Sequence, residues 1–95
     1  MNKDAMYPLK ENSTDLLNES SYRPEVFLDK IAKLLKINTD RELGKVLGIP
    51  SSVISKIRHK IVPISAKNLL AIHDVSELPI KKLRKMMGDN RKFFS

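Results

Sequence analysis

The chain has no cysteine, which removes both a disulfide frame and any thiolate metal site, and suits a reducing compartment without demanding one. Its three glycines, Gly44, Gly48 and Gly88, lie too far from one another in pattern to form a phosphate-cradling loop; each is explained by packing or by a helix cap. No apolar run approaches the roughly 20 residues of a membrane span, and no signal-peptide core is present. A cytoplasmic chain that binds no membrane is therefore expected. Enzyme chemistry also lacks its parts. The two histidines, His59 and His73, have no cysteine and no local carboxylate-histidine motif with which to hold a metal, and His73 with Asp74 is the one near pair. Adjacent helical residues point about 100° apart, so His73 is expected as a cation at a helix C-terminus, complementing the dipole. These absences point to a non-enzyme with no cofactor, no metal and no small-molecule substrate.

What is present is charge, unevenly placed. The formal net charge is +7; residues 1–22 hold two basic and four acidic residues, whereas 45–95 hold eleven basic and three acidic. A polyanion is the simplest partner for that asymmetry, through counterion release at phosphates. Acidic proteins and membranes attract basic chains too, so charge alone does not choose.

The run from Thr39 to Ile57, TDRELGKVLGIPSSVISKI, narrows the choice. Thr39 and Glu42 have the spacing of a capping box and open a helix. Leu43 and Leu47 share one face, with Gly44 beside them leaving room for a partner helix. Gly48 ends the helix, since the sharp turn needs a left-handed residue. Ile49 drops between the helices, Pro50 presets a new start, and Ser51 or Ser52 supplies side-chain oxygens early in a second helix that ends near His59. Counting about 100° per residue from the buried direction of Ile54 and Ile57 turns Ser52, Ser55, Lys56 and His59 outward. Ser51 and Lys60 fall on the flanks, with Val53 and Arg58 between. Short hydroxyls that tolerate close approach, with cations beside them, are what a major-groove reader needs; a plain solvated face is the alternative. Ser52, Ser55 and Lys56 are expected to read bases, His59 and Arg58 to meet the backbone, and Val53 to touch a thymine methyl.

These residues resemble the lambda-repressor-like, or XRE-type, helix-turn-helix regulators. Leu43, Gly44, Leu47, Gly48, Ile49, Ile54 and Ile57 stand where that family places apolar, small, apolar, glycine, apolar, apolar and apolar residues, and the resemblance extends from about Pro24 to Gly88. It implies an all-α, compact five-helix DNA-binding domain with its helix-turn-helix at about 39–59. It also implies DNA contact at Asp40, Ser51, Ser52, Ser55, Lys56 and His59. The family often has glutamine at the positions of Asp40 and Ser51; Asp40 is negative, and is expected to serve the helix dipole rather than a phosphate.

The rest of the chain fits around this motif. Residues 1–22, rich in Asn, Ser and Glu, are expected as a flexible tail in which Ser13 or Thr14 caps a short turn. The domain spans 23–88. Pro24 opens a helix through about Lys36 with Phe27, Ile31, Leu34 and Leu35 as its core stripe. Ile61 to Ile64 connects the motif to a helix capped by Ser65 and carrying Leu69, Leu70 and Ile72. A last helix begins at Pro79 or Ile80, carries Leu83, Met86 and Met87, and stops at Gly88. Residues 89–95 form a short basic and aromatic tail. Two readings stand for this end. Either Lys81, Lys82, Arg84 and Lys85 touch flanking phosphates while Met86, Met87, Phe93 and Phe94 form a homodimer patch, or the charges merely solvate the helix and the apolar side chains fold inward. The expected function is a sequence-specific double-stranded DNA-binding regulator, a repressor acting by occupancy as a homodimer. The alternatives are an antitoxin-like module whose acidic first segment binds a protein partner, and a nonspecific nucleic-acid binder.

Overall fold

The computed structural model describes residues 15–91. Among them the chain is all-helical: α1 (Asp15–Asn18), α2 (Pro24–Leu34), α3 (Asp40–Leu47), α4 (Ser51–Arg58), α5 (Ala66–Ser76) and α6 (Ile80–Met87). Past the single turn of α1, these are the five helices expected. None is long and apolar enough to cross a membrane among the described residues.

Local chemistry accounts for most of the boundaries. Pro24 sits in the first turn of α2, where its missing N–H has no partner to lose. Thr39 is the N-cap of α3, its Oγ1 accepting the Glu42 N–H at 3.1 Å. The reciprocal half of the box differs from expectation: the Glu42 carboxylate accepts from the Thr39 hydroxyl at 3.4 Å. Gly48 ends α3 in the left-handed region (φ 71°), and Gly88 ends α6 the same way (φ 75°). Ser65 caps α5 through the Asn68 N–H. Three other turns use residues with side chains in the same conformation: Lys36, Lys60 and Glu77 have φ near 60°.

The core is a single cluster into which every helix sends side chains. Phe27, Leu28 and Ile31 come from α2, Leu43 and Leu47 from α3, Ile54 and Ile57 from α4, Leu69 and Ile72 from α5, and Leu83 and Met87 from α6. Helix α2 packs on both α4 and α6, and α5 on both α3 and α6. Two expected core positions are corrected. Leu34 and Leu70 are each 53% exposed, because the stripes of α2 and α5 turn them outward; Leu28 takes the place in α2.

Both domain limits also move outward. Leu16 and Tyr22, placed by the sequence in a flexible tail, are buried in the core. The segment around Tyr22 is bound to the far end of the domain: the Arg23 N–H donates to the Met87 carbonyl at 2.9 Å, and a Cβ at Gly88 would fall on the Ser21 carbonyl. At the other limit, Asp89 and Arg91 are 5% and 4% exposed. The Arg91 fork holds both Asp89 oxygens, with Nε on Oδ1 at 3.0 Å and Nη2 on Oδ2 at 2.8 Å. The same Nη2 donates to the Ile64 carbonyl. A buried pair of this kind is tolerated because its charges are matched and hydrogen-bonded. Arg84 joins it, its Nε 3.7 Å from Asp89 and its Nη2 donating to the Arg91 carbonyl. Thus the start of the expected basic tail is an internal ion cluster. Phe93 and Phe94, and the cap expected at Ser13 or Thr14, lie outside the described residues.

Candidate nucleic-acid interface

Helices α3 and α4 are joined by Gly48, Ile49 and Pro50 alone. The turn is tight because the Gly44 carbonyl receives two amides, those of Gly48 and Ile49. Gly44 also lets the two helices meet: a Cβ there would fall on the Ile49 carbonyl and touch Ile54 Cδ1 at 3.4 Å. Ile49 is buried in the gap as expected. Helix α4 starts on Pro50 with no side-chain cap, so the oxygens expected from Ser51 or Ser52 at this end serve no cap.

With Ile54 and Ile57 in the core, the opposite side of α4 faces solvent. Ser51, Ser52, Ser55, Lys56 and His59 are all exposed, in agreement with the angles. Ser55 and His59 lie one turn apart and interact. The His59 Nδ1–H donates to the Ser55 carbonyl at 2.8 Å, with Ser55 Oγ 3.4 Å from the same nitrogen. This fixes the ring and leaves Nε2 as its remaining polar edge. Val53 is half-buried and packs against the core, so much of its surface is already occupied. Lys60 stands past the helix end at φ 61°, half-buried in the turn where the Ile61 N–H reaches back to the Lys56 carbonyl.

Arg58 departs from the expectation of a backbone contact. Its Nε and Nη2 donate to the two oxygens of Asp40 at 3.1 and 2.8 Å. Its Nη1 donates to Asp29 Oδ1 at 2.7 Å and to the Glu25 carbonyl at 3.4 Å. All three guanidinium nitrogens are engaged within the molecule, and donating to the Asp40 carboxylate raises the Arg58 pKa above its ordinary value. Asp40 in turn, at the first position of α3, answers both the helix dipole and this cation.

Two cations that the sequence reading did not single out border this exposed face of α4. Arg41 and Lys45 are exposed and line one surface hollow together with Gly44, Gly48, Ile49, Pro50 and Ser51. The signal was available: they stand four apart on the face of α3 away from Leu43 and Leu47.

The distal helix is less favourable to the expected dimer patch. Met87 is fully buried and Met86 is half-buried against the core. Lys81, Lys82 and Lys85 are exposed. His73 is half-buried near the end of α5, its Nδ1–H donating to the Leu78 carbonyl at 2.6 Å, so it ties the following turn as well as facing the helix end. No group of three His, Asp or Glu among the described residues is placed to hold a metal ion. The chain matches no known protein family, no curated protein and no solved structure.

Proposed function

We propose that the protein is a sequence-specific double-stranded DNA-binding regulator of lambda-repressor-like architecture, with α4 docked in the major groove and repression achieved by occupancy. The observation that carries this reading is the exposed row of Ser51, Ser52, Ser55 and Lys56 on an eight-residue helix whose other side is core, continued by the exposed His59 at its C-cap. A helix anchored by Ile54 and Ile57 holds its outer side chains at fixed angles, which base reading requires. Ser52, Ser55 and Lys56 meet base edges. His59 offers Nε2 at the groove margin, while Arg41 and Lys45 neutralise phosphates beside the turn. Serines offer few bidentate contacts, so a large share of the affinity comes from phosphates and DNA shape. Two copies on a near-palindromic site, with reading helices about 34 Å apart, double the sequence read.

Selection of bound fragments from random duplex DNA, followed by affinity measurement on the selected and random sequences at physiological salt, tests the reading. A clear preference for the selected duplex is expected, and equal affinities would sink it. Lys56→Ala is expected to weaken the selected duplex by about tenfold and to relax preference at one base pair, since a good base contact is worth about 1–3 kcal/mol. Weakening of all sequences alike would instead place Lys56 on a phosphate.

A further inference from the structure

Within this DNA-reading scheme, on which the inference rests, the geometry points to Arg58 as the positioning residue of the reading helix and not a DNA contact: its guanidinium locks the end of α4 onto the start of α3 and the middle of α2. The lock spans three elements. Asp40 is the first residue of α3, Asp29 lies on α2, and Arg58 is the last residue of α4. The fork onto both Asp40 oxygens fixes the plane of the guanidinium as well as its distance. The Asp29 and Glu25 contacts fix the remaining nitrogen.

The placement matters because the turn and the core hold one end and one side of α4, and Arg58 adds an attachment at its far end. At the turn, α3 and α4 meet where Gly44 admits Ile49 and Ile54. The Arg58–Asp40 fork is a second attachment, at the other end of both helices. Two separated attachments fix a crossing angle, and with it the direction of Ser52, Ser55 and Lys56. Because Arg58 is tied by four hydrogen bonds, swinging it to a phosphate would strip two carboxylates of their partner. The same lock offsets part of the negative charge of Asp40 and Asp29 on one flank of α4, where they would otherwise repel DNA more strongly.

The test measures affinity of the full chain for a selected and a random duplex over a range of salt, with circular dichroism confirming the fold of each variant. Arg58→Ala is expected to lower the ratio of selected to random affinity by about tenfold, with the slope of log affinity against log salt unchanged. Arg58→Lys keeps the charge but not the fork, and is expected to lose most of the same ratio; it carries the test should Arg58→Ala fail to fold. Asp40→Asn, which removes no cation, is expected to lower the ratio too, Asp40→Glu to restore most of it, and the Arg58→Ala/Asp40→Asn double variant to be no worse than either single one. A slope that falls by about one on removing Arg58, full activity in Arg58→Lys, or an unchanged ratio in Asp40→Asn overturns the positioning role. An unaltered chain that does not prefer the selected duplex overturns the DNA reading itself, and the role with it.

Discussion

A tyrosine hydroxyl shut away from water keeps its proton more tightly than one in solution, because the anion is the form that burial disfavours. Tyr22 is fully buried, and burial pushes its pKa up to about 12 from the ordinary 10.0. Below about pH 10 the folded and unfolded chains both hold this proton and the residue adds no pH dependence. Between about pH 10 and 12 the unfolded chain releases it while the folded one does not, so stability falls as pH rises, by up to about 3 kcal/mol at the top of the window. Tyr22→Phe keeps the ring and removes the proton, so its stability from chemical denaturation is expected to decline less steeply across about pH 9 to 12. Equal slopes for the two proteins would show that Tyr22 ionises as freely folded as unfolded. The residue scale is also where the sequence was least legible. Angle counting places Arg58 between the buried and the outward directions of α4, but its partners lie 18 and 29 residues away in the chain, and no periodicity within one helix encodes a pairing at that separation. Asp89 and Arg91 read as solvated tail residues because what buries their pair, the Ile64 carbonyl, lies 27 residues away from Arg91. The pair itself is local, and beside the side-chain fork the Asp89 Oδ1 accepts the Arg91 N–H at 3.0 Å, an Asx turn of the kind that an aspartate just past a glycine cap favours.

At the scale of the element, what the sequence announces is what neighbours decide. Thr39, Gly48, Ser65, Pro79 and Gly88 mark helix ends by chemistry that acts within a turn, and each stands at the end it was expected to mark. The ends of α2, α4 and α5 carry no glycine signal, since Lys36, Lys60 and Glu77 take the left-handed conformation that glycine usually fills. Hydrophobic period was only a partial guide: it marks an apolar stripe without saying how wide a stripe the partners cover, and so Leu34 and Leu70 were assigned to a core that leaves them exposed. The cap of α3 has a measurable weight. Thr39→Ala removes the acceptor of the Glu42 N–H and is expected to lower stability by about 1 kcal/mol, read as a shift in the denaturant midpoint with the slope unchanged. No shift would mean that water replaces the threonine oxygen at no loss.

For the molecule as a whole, the limits of the packed unit set what a minimal fragment must contain. A chain begun at Arg23, where the sequence reading placed the domain, lacks Leu16 and Tyr22, which are 2% and 0% exposed. Burial of two such side chains stabilises by roughly 1.5–3 kcal/mol each, so this truncation is expected to melt well below the full chain, or to fail to fold, in a thermal scan followed by circular dichroism. An unchanged melting temperature would return the segment to the status of a tail. The overall charge asymmetry was legible from the sequence, whereas its division was not. Arg58, Arg84 and Arg91 are drawn into contacts within the fold, while Arg41, Lys45 and Lys56 stay exposed around the α3–α4 turn.

The contact of Gly88 with the Ser21 backbone has a topological meaning. It brings the first and last parts of the packed unit to the same spot, with the Arg23 amide hydrogen-bonded to Met87 beside it. In outline the helices form a closed ring of contacts, α2 on α4, α4 on α3, α3 on α5, α5 on α6 and α6 back on α2, not a string with two distant ends. A linker that closes the chain must therefore be attached outside this contact, before Leu16 and after Arg91, so that both buried ends stay in the packed unit; the domain could then be opened elsewhere, at a surface turn remote from α4, with the order of its helices permuted and the exposed face of α4 intact.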